Sequence, residues 1–396
     1  STTTFSNVQE MFLVREAPMA GTGSVWAYLP DVNGNGRADI VLGDPGLGRV
    51  VVHNTPPSAL ATEAMRASQI FGGPAMAPAG FGTKVSATGD VSGDGIPDLM
   101  VATAPGTGAR VYVYHGSSGG LGEMTLPTAP NTTLTAPMGS TFALATAGLG
   151  DVNNDGYGDV GVLRDGALLV YFGAAGGIAN MAAPSQNIPW TAISTAMGTA
   201  VSLAAVGDVN NDGIGDVVVG VTGTTAPPSP GQARVYYGST MVGLTPTRFT
   251  ALATTTTGMP SVAATFGRSV SGIGDFTGDG FVDVAVGQSG SNQVLVSPGA
   301  MTNVNTTPTA VAVGSGRSGA VVSGGDFNGD GRGDILVGNE AGDSANYVLG
   351  GTTMAVAIPP GTATDFGYTV NGFNDVNGDG FTDAMIGTNT AAVAYI

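Results

Sequence analysis

The stretch Asp151-Val-Asn-Asn-Asp-Gly-Tyr-Gly-Asp159, followed at once by the apolar run Val160-Gly-Val-Leu163, decides the fold. It is one of seven segments matching D-x-[NSTD]-x-[ND]-G-x-x-D. The others run from Asp31 to Asp39, Asp90 to Asp98, Asp208 to Asp216, Asp275 to Asp283, Asp326 to Asp334 and Asp375 to Asp383. Their first aspartates stand 49–67 residues apart, so seven units occupy all 396 residues and leave no room for a second domain of any size. Self-similarity at such a period marks a repeat architecture, in which one unit cannot bury its apolar face alone.

Each copy has the same flanks. A strand of small residues precedes it, as in Val85-Ser-Ala-Thr-Gly89, and a short apolar strand follows, as in Val217-Val-Val-Gly220. After a Gly- or Pro-rich turn comes a third strand such as Arg110-Val-Tyr-Val-Tyr114, then a weaker, often Thr-rich fourth. Runs of this length, rich in β-branched and aromatic residues and bounded by turn residues, are strands. The expected fold is all-β: a seven-bladed β-propeller with four antiparallel strands per blade. The blades fall at about 15–72, 73–136, 137–193, 194–257, 258–313, 314–358 and 359–396, in one domain spanning 1–396. The last unit reaches only its third strand, so a strand at 8–14 is expected to complete it and close the ring.

Composition narrows the function. Twelve Lys+Arg stand against 29 Asp+Glu, a net charge of −17, and the acid excess argues against nucleic acid as a partner. Zero cysteines exclude disulfides, thiolate zinc sites and Cys nucleophiles. No stretch reads as a transmembrane helix; the uncharged run 166–207 is broken by Gly176-Gly177, Pro184 and Pro189, so it reads as loops and short strands. The N-terminus lacks a basic and an apolar region, so a secreted chain is expected to have lost its signal peptide already.

Twenty of the 29 acids lie in the seven loops, at positions 1, 5 and 9. Hard oxygen donors on alternate residues of a tight loop suit Ca²⁺, which takes 6–8 oxygen ligands. Position 6 is always glycine, which makes the sharp reversal cheaply. Side chains at positions 1, 3, 5 and 9 and the backbone carbonyl at position 7 are the expected ligands of up to seven calcium ions. These are Asp31, Asn33, Asn35, Arg37 and Asp39; Asp90, Ser92, Asp94, Ile96 and Asp98; Asp151, Asn153, Asp155, Tyr157 and Asp159. The remaining four sets are Asp208, Asn210, Asp212, Ile214 and Asp216; Asp275, Thr277, Asp279, Phe281 and Asp283; Asp326, Asn328, Asp330, Arg332 and Asp334; Asp375, Asn377, Asp379, Phe381 and Asp383. Loop 1 presents two carboxylates where the others present three, and is expected to bind most weakly. An EF-hand is excluded, since its Glu at position 12 and flanking helices are missing. Filling seven loops would take the net charge from −17 to about −3.

Phe81-Gly82, Phe266-Gly267 and Phe366-Gly367 each stand nine residues before a first loop aspartate, and Gly43-Asp44-Pro45 and Ala104-Pro105 follow second strands. With the metal loops, these resemble the FG-GAP repeats of the integrin α-subunit propeller. Met138-Gly139 and Met197-Gly198 replace Phe-Gly at shifted positions, and the sixth unit has only Gly316-Arg317. All seven units carry the metal loop, whereas integrins use it in a subset. The resemblance implies a propeller, calcium, and an extracellular or cell-surface adhesion role, and it points weakly to a bacterial relative. Arg332-Gly333-Asp334 spells an integrin-recognised tripeptide, but Asp334 is already position 9 of loop 6.

Nothing points to catalysis. His53 and His115 fall at equivalent ends of third strands, and no G-x-S-x-G, H-E-x-x-H or P-loop occurs. First and third strands run the same way, so the metal loops share one rim. Arg49, Lys84, Arg110, Arg164, Arg234, Arg268 and Arg317 are expected on the opposite rim, where they either bind a protein or glycan ligand or pair locally with acids. The long insertion 222–232 belongs to the same rim. A non-catalytic binding or adhesion module is the expectation, with a calcium-dependent lectin and a structural subunit of a surface assembly as alternatives. Trp26 and Trp190 stand in unlike positions, so no sugar-stacking platform repeats from unit to unit.

Overall fold

A computed structural model describes residues 13–15, 25–31, 38–53, 69–116, 129–189, 201–225, 228–253, 265–313, 318–339, 343–358, 366–376, 380–388 and 393–395. The described chain is all strand and turn. After β1 (Leu13–Arg15) comes the sheet β2 (Val25–Leu29), β3 (Asp39–Asp44), β4 (Arg49–His53) and β5 (Gln69–Gly72). The next is β6 (Lys84–Gly89), β7 (Asp98–Ala102), β8 (Arg110–Tyr114) and β9 (Thr132–Thr135). Then come β10 (Thr146–Gly150), β11 (Asp159–Arg164), β12 (Ala167–Tyr171) and β13 (Gln186–Pro189). The fourth sheet holds β14 (Val201–Gly207), β15 (Asp216–Val221), β18 (Gln232–Tyr236) and β19 (Phe249–Ala253), with a separate hairpin β16 (Thr224–Thr225) and β17 (Pro228–Ser229) inserted between its middle strands. Two further sheets follow, β20 (Phe266–Gly272) to β21 (Val284–Gln288), β22 (Gln293–Ser297) and β23 (Thr309–Ala312), and β24 (Ser318–Gly325) to β25 (Asp334–Asn339), β26 (Ser344–Val348) and β27 (Ala355–Ile358). The chain finishes with β28 (Thr369–Asn374), β29 (Asp383–Gly387) and β30 (Val393–Tyr395).

The burial of each strand follows its place in the blade. Second strands are buried on both faces, β3, β7 and β15 along their whole length, because neighbouring blades cover both sides. They are accordingly unbroken apolar runs instead of alternating ones. Fourth strands such as β5 and β13 bury only one residue in four, as expected at an outer edge. The apolar core is divided among the interfaces between sheets. Val41, Val50 and Val52 of one blade pack on Val85, Val101 and Tyr112 of the next, and equivalent clusters recur around the ring.

The expected seven like blades, the last completed by a strand at 8–14, require correction. Six sheets are complete blades made of consecutive strands, whereas the remaining one is composite, β28-β29-β30 with β1 at its edge. The β1 strand covers only Leu13–Arg15 and meets β30 through Leu13, Val14 and Arg15. Residues 8–12 lie outside the described residues. The N-terminal strand does not carry the closure: the inner strand β28 packs directly on β2, and Trp26, Tyr28 and Ile40 share a core with Val376 and Met385. An apolar interface of this kind is a larger source of stability than three residues of edge pairing.

The Phe-Gly pairs explain how blades approach. Gly82 has φ +89°, and a Cβ there would press on the Arg49 carbonyl at 2.7 Å. In return, a Cβ at Gly43 would run into the Gly82 carbonyl. Gly267 meets Gly220 and Gly367 meets Gly338 in the same way. The Phe-Gly of one blade is thus fitted to the glycine ending the second strand of the blade before it. In the third blade the equivalent is Phe142-Ala143, not the expected Met138-Gly139: Phe142 is fully buried, Ala143 has φ +58°, and Gly139 touches nothing.

Candidate functional site

Five of the seven loops, 2 to 6, lie wholly within the described residues and share one hydrogen-bond pattern. The position-1 carboxylate organises the turn. Asp90 accepts N–H bonds from Gly93 at 2.6 Å, Asp94 at 3.2 Å and Gly95 at 2.7 Å. Asp275 and Asp326 repeat this pattern. At position 3, Asn153 accepts from the Asp155 N–H at 3.1 Å and donates to the Asp155 carboxylate at 2.8 Å. Asn210 and Asn328 do the same. At position 5, Asp94 accepts from the Ile96 N–H at 2.9 Å. The glycine at position 6 has positive φ in every described loop, +85° at Gly95 and +91° at Gly156, which side chains resist. Local sequence therefore makes the turn at the head of each loop.

Position 9 has a second task that the motif did not announce. Asp98, Asp159, Asp216, Asp283 and Asp334 are fully buried at the start of the second strand. Each uses both oxygens on backbone donors. Asp98 accepts from Val91 at 2.9 Å and from Gly116 at 2.8 Å; Asp216 accepts from Val209 at 3.1 Å and Gly238 at 2.9 Å. The carboxylate thus ties the loop to the end of the third strand. Burial pushes the Asp98, Asp159 and Asp216 carboxyls up to about 7, partly offset by those N–H bonds, and the carboxylates at positions 5 and 1 push the same way. In loops 5 and 6, Asp283 and Asp334 are pushed up to about 6. The sequence did carry a signal for this, since a glycine stands two residues past each third strand, at Gly116, Gly173, Gly238, Gly299 and Gly350.

Each loop offers oxygen donors, and the Oδ2 atoms of Asp90, Asp275 and Asp326, which accept a single N–H, keep a second lone pair. That donor chemistry fits a hard cation such as Ca²⁺. Among the described residues, no three acidic or histidine side chains stand together as a ready metal cluster. Asn33, Asn35 and Arg37 of loop 1, and Asn377 and Asp379 of loop 7, lie outside the described residues. Asp31 and Asp39, and Asp375, Phe381 and Asp383, flank those gaps; Asp39 is buried like the other ninth positions, and Asp383 accepts from Val376 at 2.7 Å. The Arg-Gly-Asp tripeptide is not displayed. Asp334 is buried, and Arg332 lies over Gly278 with its guanidinium 3.4 Å from the Thr277 carbonyl.

Of the basic residues expected on the opposite rim, Arg49, Arg164 and Arg234 are used within their own blades. Arg49 pairs with the buried Asp44 at 3.0 Å. Arg164 bonds the Asp165 carbonyl at 2.6 Å. Arg234 is buried with its guanidinium 4.4 Å from the centre of the Phe249 ring. Lys84 has its pKa lowered by burial. Arg110 and Arg268 are half-buried, and Arg317 lies outside the described residues. His53 is buried and stacked with Trp26, ring centres 6.3 Å apart, so that tryptophan is no exposed platform; Trp190 lies outside the described residues. His115 sits on the loop rim, its pKa lowered by burial while Asp94 and Asp90 pull the other way.

These loops on strand hairpins, with Phe-Gly wedged against the preceding blade, define an FG-GAP type of propeller. An FG-GAP-like repeat profile matches 90–162 and 275–337. The chain is a β-propeller with FG-GAP-like repeats that is similar, over part of its length, to integrin α subunits. It is 31% identical over 176 residues to integrin alpha-3 of Cricetulus griseus, covering 40% of this chain and 16% of that one. It is 31% identical over 216 residues to integrin alpha-V of Gallus gallus, covering 49% and 19%. Integrin alpha-IIb of Homo sapiens matches at 29% over 183 residues, covering 41% and 16%. The matched stretches span less than a fifth of those integrin chains. The crystal structure of BBS1N in complex with ARL6DN, soaked with mercury, superposes with TM-score 0.55 at 10% identity, covering 98% of this chain and 97% of that one, a likeness of fold alone. Among the described residues no helix is long and apolar enough to cross a membrane.

Proposed function

We propose that this chain is a non-catalytic, calcium-stabilised binding module of the cell exterior or cell surface, of the adhesion type. The observation that carries the calcium part is the recurrence of one oxygen-lined loop geometry in every wholly described copy. Up to seven Ca²⁺ ions would be held by positions 1, 3 and 5 and the position-7 carbonyl, with position 9 contributing beneath. A bound cation supplies positive charge among carboxylates that otherwise raise one another's pKa. Affinities of such extracellular loops are often ~10⁻⁴–10⁻³ M, which suits a compartment rich in calcium.

The partner is a protein, engaged on the rim opposite the loops. There the β16–β17 hairpin adds a small sheet to an otherwise plain 2–3 connection, and binding residues favour loops on rigid scaffolds. Arg110 and Arg268 are the basic side chains best placed to contribute. The test is calcium-dependent binding to panels of extracellular proteins and of glycans, with wild type and a variant lacking 223–230. Protein binding lost in the variant supports the proposal. Glycan binding by both, with no protein bound, would make the chain a lectin.

A further inference from the structure

Successive loops are joined by a recurring bond from position 8, beside a second one from the turn after the third strand, as from Ala174 to Val91 and Ser239 to Val152. In a trans peptide group the C=O and N–H point opposite ways. The peptide between positions 7 and 8 therefore faces its own loop with one end and the preceding loop with the other. The position-8 N–H donates to the position-1 carbonyl of the preceding loop from Gly158 to Asp90 at 2.8 Å, Gly215 to Asp151 at 3.4 Å and Gly333 to Asp275 at 3.0 Å. Thr382 donates to Asp326 at 3.1 Å, and Ala38 to Asp375 at 3.2 Å, which carries the pattern across the ring closure. Position-7 side chains reinforce it: Tyr157 lies over Gly93 and Phe381 over Gly329.

Two junctions differ. Val282 makes no such bond; the junction keeps the Ala300 N–H to Val209 bond at 3.2 Å, common to other junctions, and adds one from the Asn211 amide to Gly280 at 3.4 Å. In loop 2, position 8 is Pro97, which has no N–H to give to Asp31.

We infer that the position 7–8 peptides couple cation binding between neighbouring loops, and that Pro97 interrupts the coupling between loops 2 and 1. The inference rests on the calcium reading proposed above. The carbonyl at position 7 is a ligand in its own loop, and drawing it to a divalent cation polarises the peptide and strengthens its N–H as a donor. The acceptor belongs to the position-1 aspartate, the residue that organises the preceding loop. Filling one loop thus holds the preceding loop in its binding shape, and a site already in shape binds more tightly. Couplings of this kind are typically about 5- to 150-fold in affinity.

The test is calcium titration calorimetry on the full chain, wild type beside two variants. Gly215→Pro reproduces in loop 4 the Ile-Pro pair that loop 2 already holds, since Ile214 precedes it, and a Cβ at Gly215 meets nothing nearer than 3.5 Å. Pro97→Gly adds the missing donor. The wild type is expected to bind with a Hill coefficient above one, Gly215→Pro to lower it, and Pro97→Gly to raise it. Calcium bound at independent sites, with both variants unchanged, would overturn the coupling and leave the calcium reading standing. No calcium bound by wild type would overturn both. If Gly215→Pro does not fold, Pro97→Gly decides alone: an unchanged isotherm sinks the inference.

Discussion

The two rims of this molecule join the same blades by different means. On the loop rim, close approaches of glycine, as of Gly333 to the Ile273 carbonyl, are accompanied by backbone donors, carboxylates and carbonyls: Asp216 ties a hairpin together and Gly215 reaches the preceding loop. On the other rim, blades meet by the removal of side chains, as where Gly82 seats against Gly43. The first kind of joint is polar, charged and open to a cation. The second is steric and has nothing for a cation to act on. The difference teaches that stability and responsiveness are divided between the ends of each blade.

The sharpest way to break the loop rim is at position 9. Asp216→Ala leaves two buried N–H groups unpaired and is expected to cost about 2–5 kcal/mol, read as a fall in the urea midpoint. An unchanged midpoint would show that the tie contributes nothing. The steric rim is broken by Gly43→Ala, whose Cβ collides with the Gly82 carbonyl. A loss of about 1–3 kcal/mol is expected, the same with and without calcium. A calcium-dependent loss would erase the contrast between rims. At the scale of a single site, Asn35→Asp is expected to raise loop 1 affinity about tenfold by adding a third carboxylate, measured by calorimetry. Smallest of all, Arg332→Ala is expected to shift stability by no more than about 0.5 kcal/mol, since its guanidinium is exposed over the loop 5 backbone.

Much of this was legible in the chain. Repeat spacing and strand-loop-strand alternation gave the blades, because a motif recurring every 49–67 residues admits few architectures. Loop geometry was legible because Asp at position 1 and Gly at position 6 act on their own backbone. Long-range relations were not. Phe142-Ala143 was hidden because alanine at φ +58° does not look like the glycine it replaces. The double use of Asp98 depends on Gly116, 18 residues away, and only the folded hairpin brings them together. Strand polarity fixes an end of the blade but not a side chain's partner, so the pairing of Arg49 with Asp44 and of Arg234 with the Phe249 ring needed the folded chain. Ring closure went to β28 against β2 for a similar reason: sequence counted strands, while the apolar interface lies between inner ones.

The central claim is that the loop rim is a set of calcium sites on which the blades depend. Thermal unfolding of the full chain in millimolar calcium and in excess chelator tests it most directly. A melting temperature higher by several degrees with calcium, with magnesium ineffective at equal concentration, is the predicted result. Superimposable melts in calcium and chelator would contradict it.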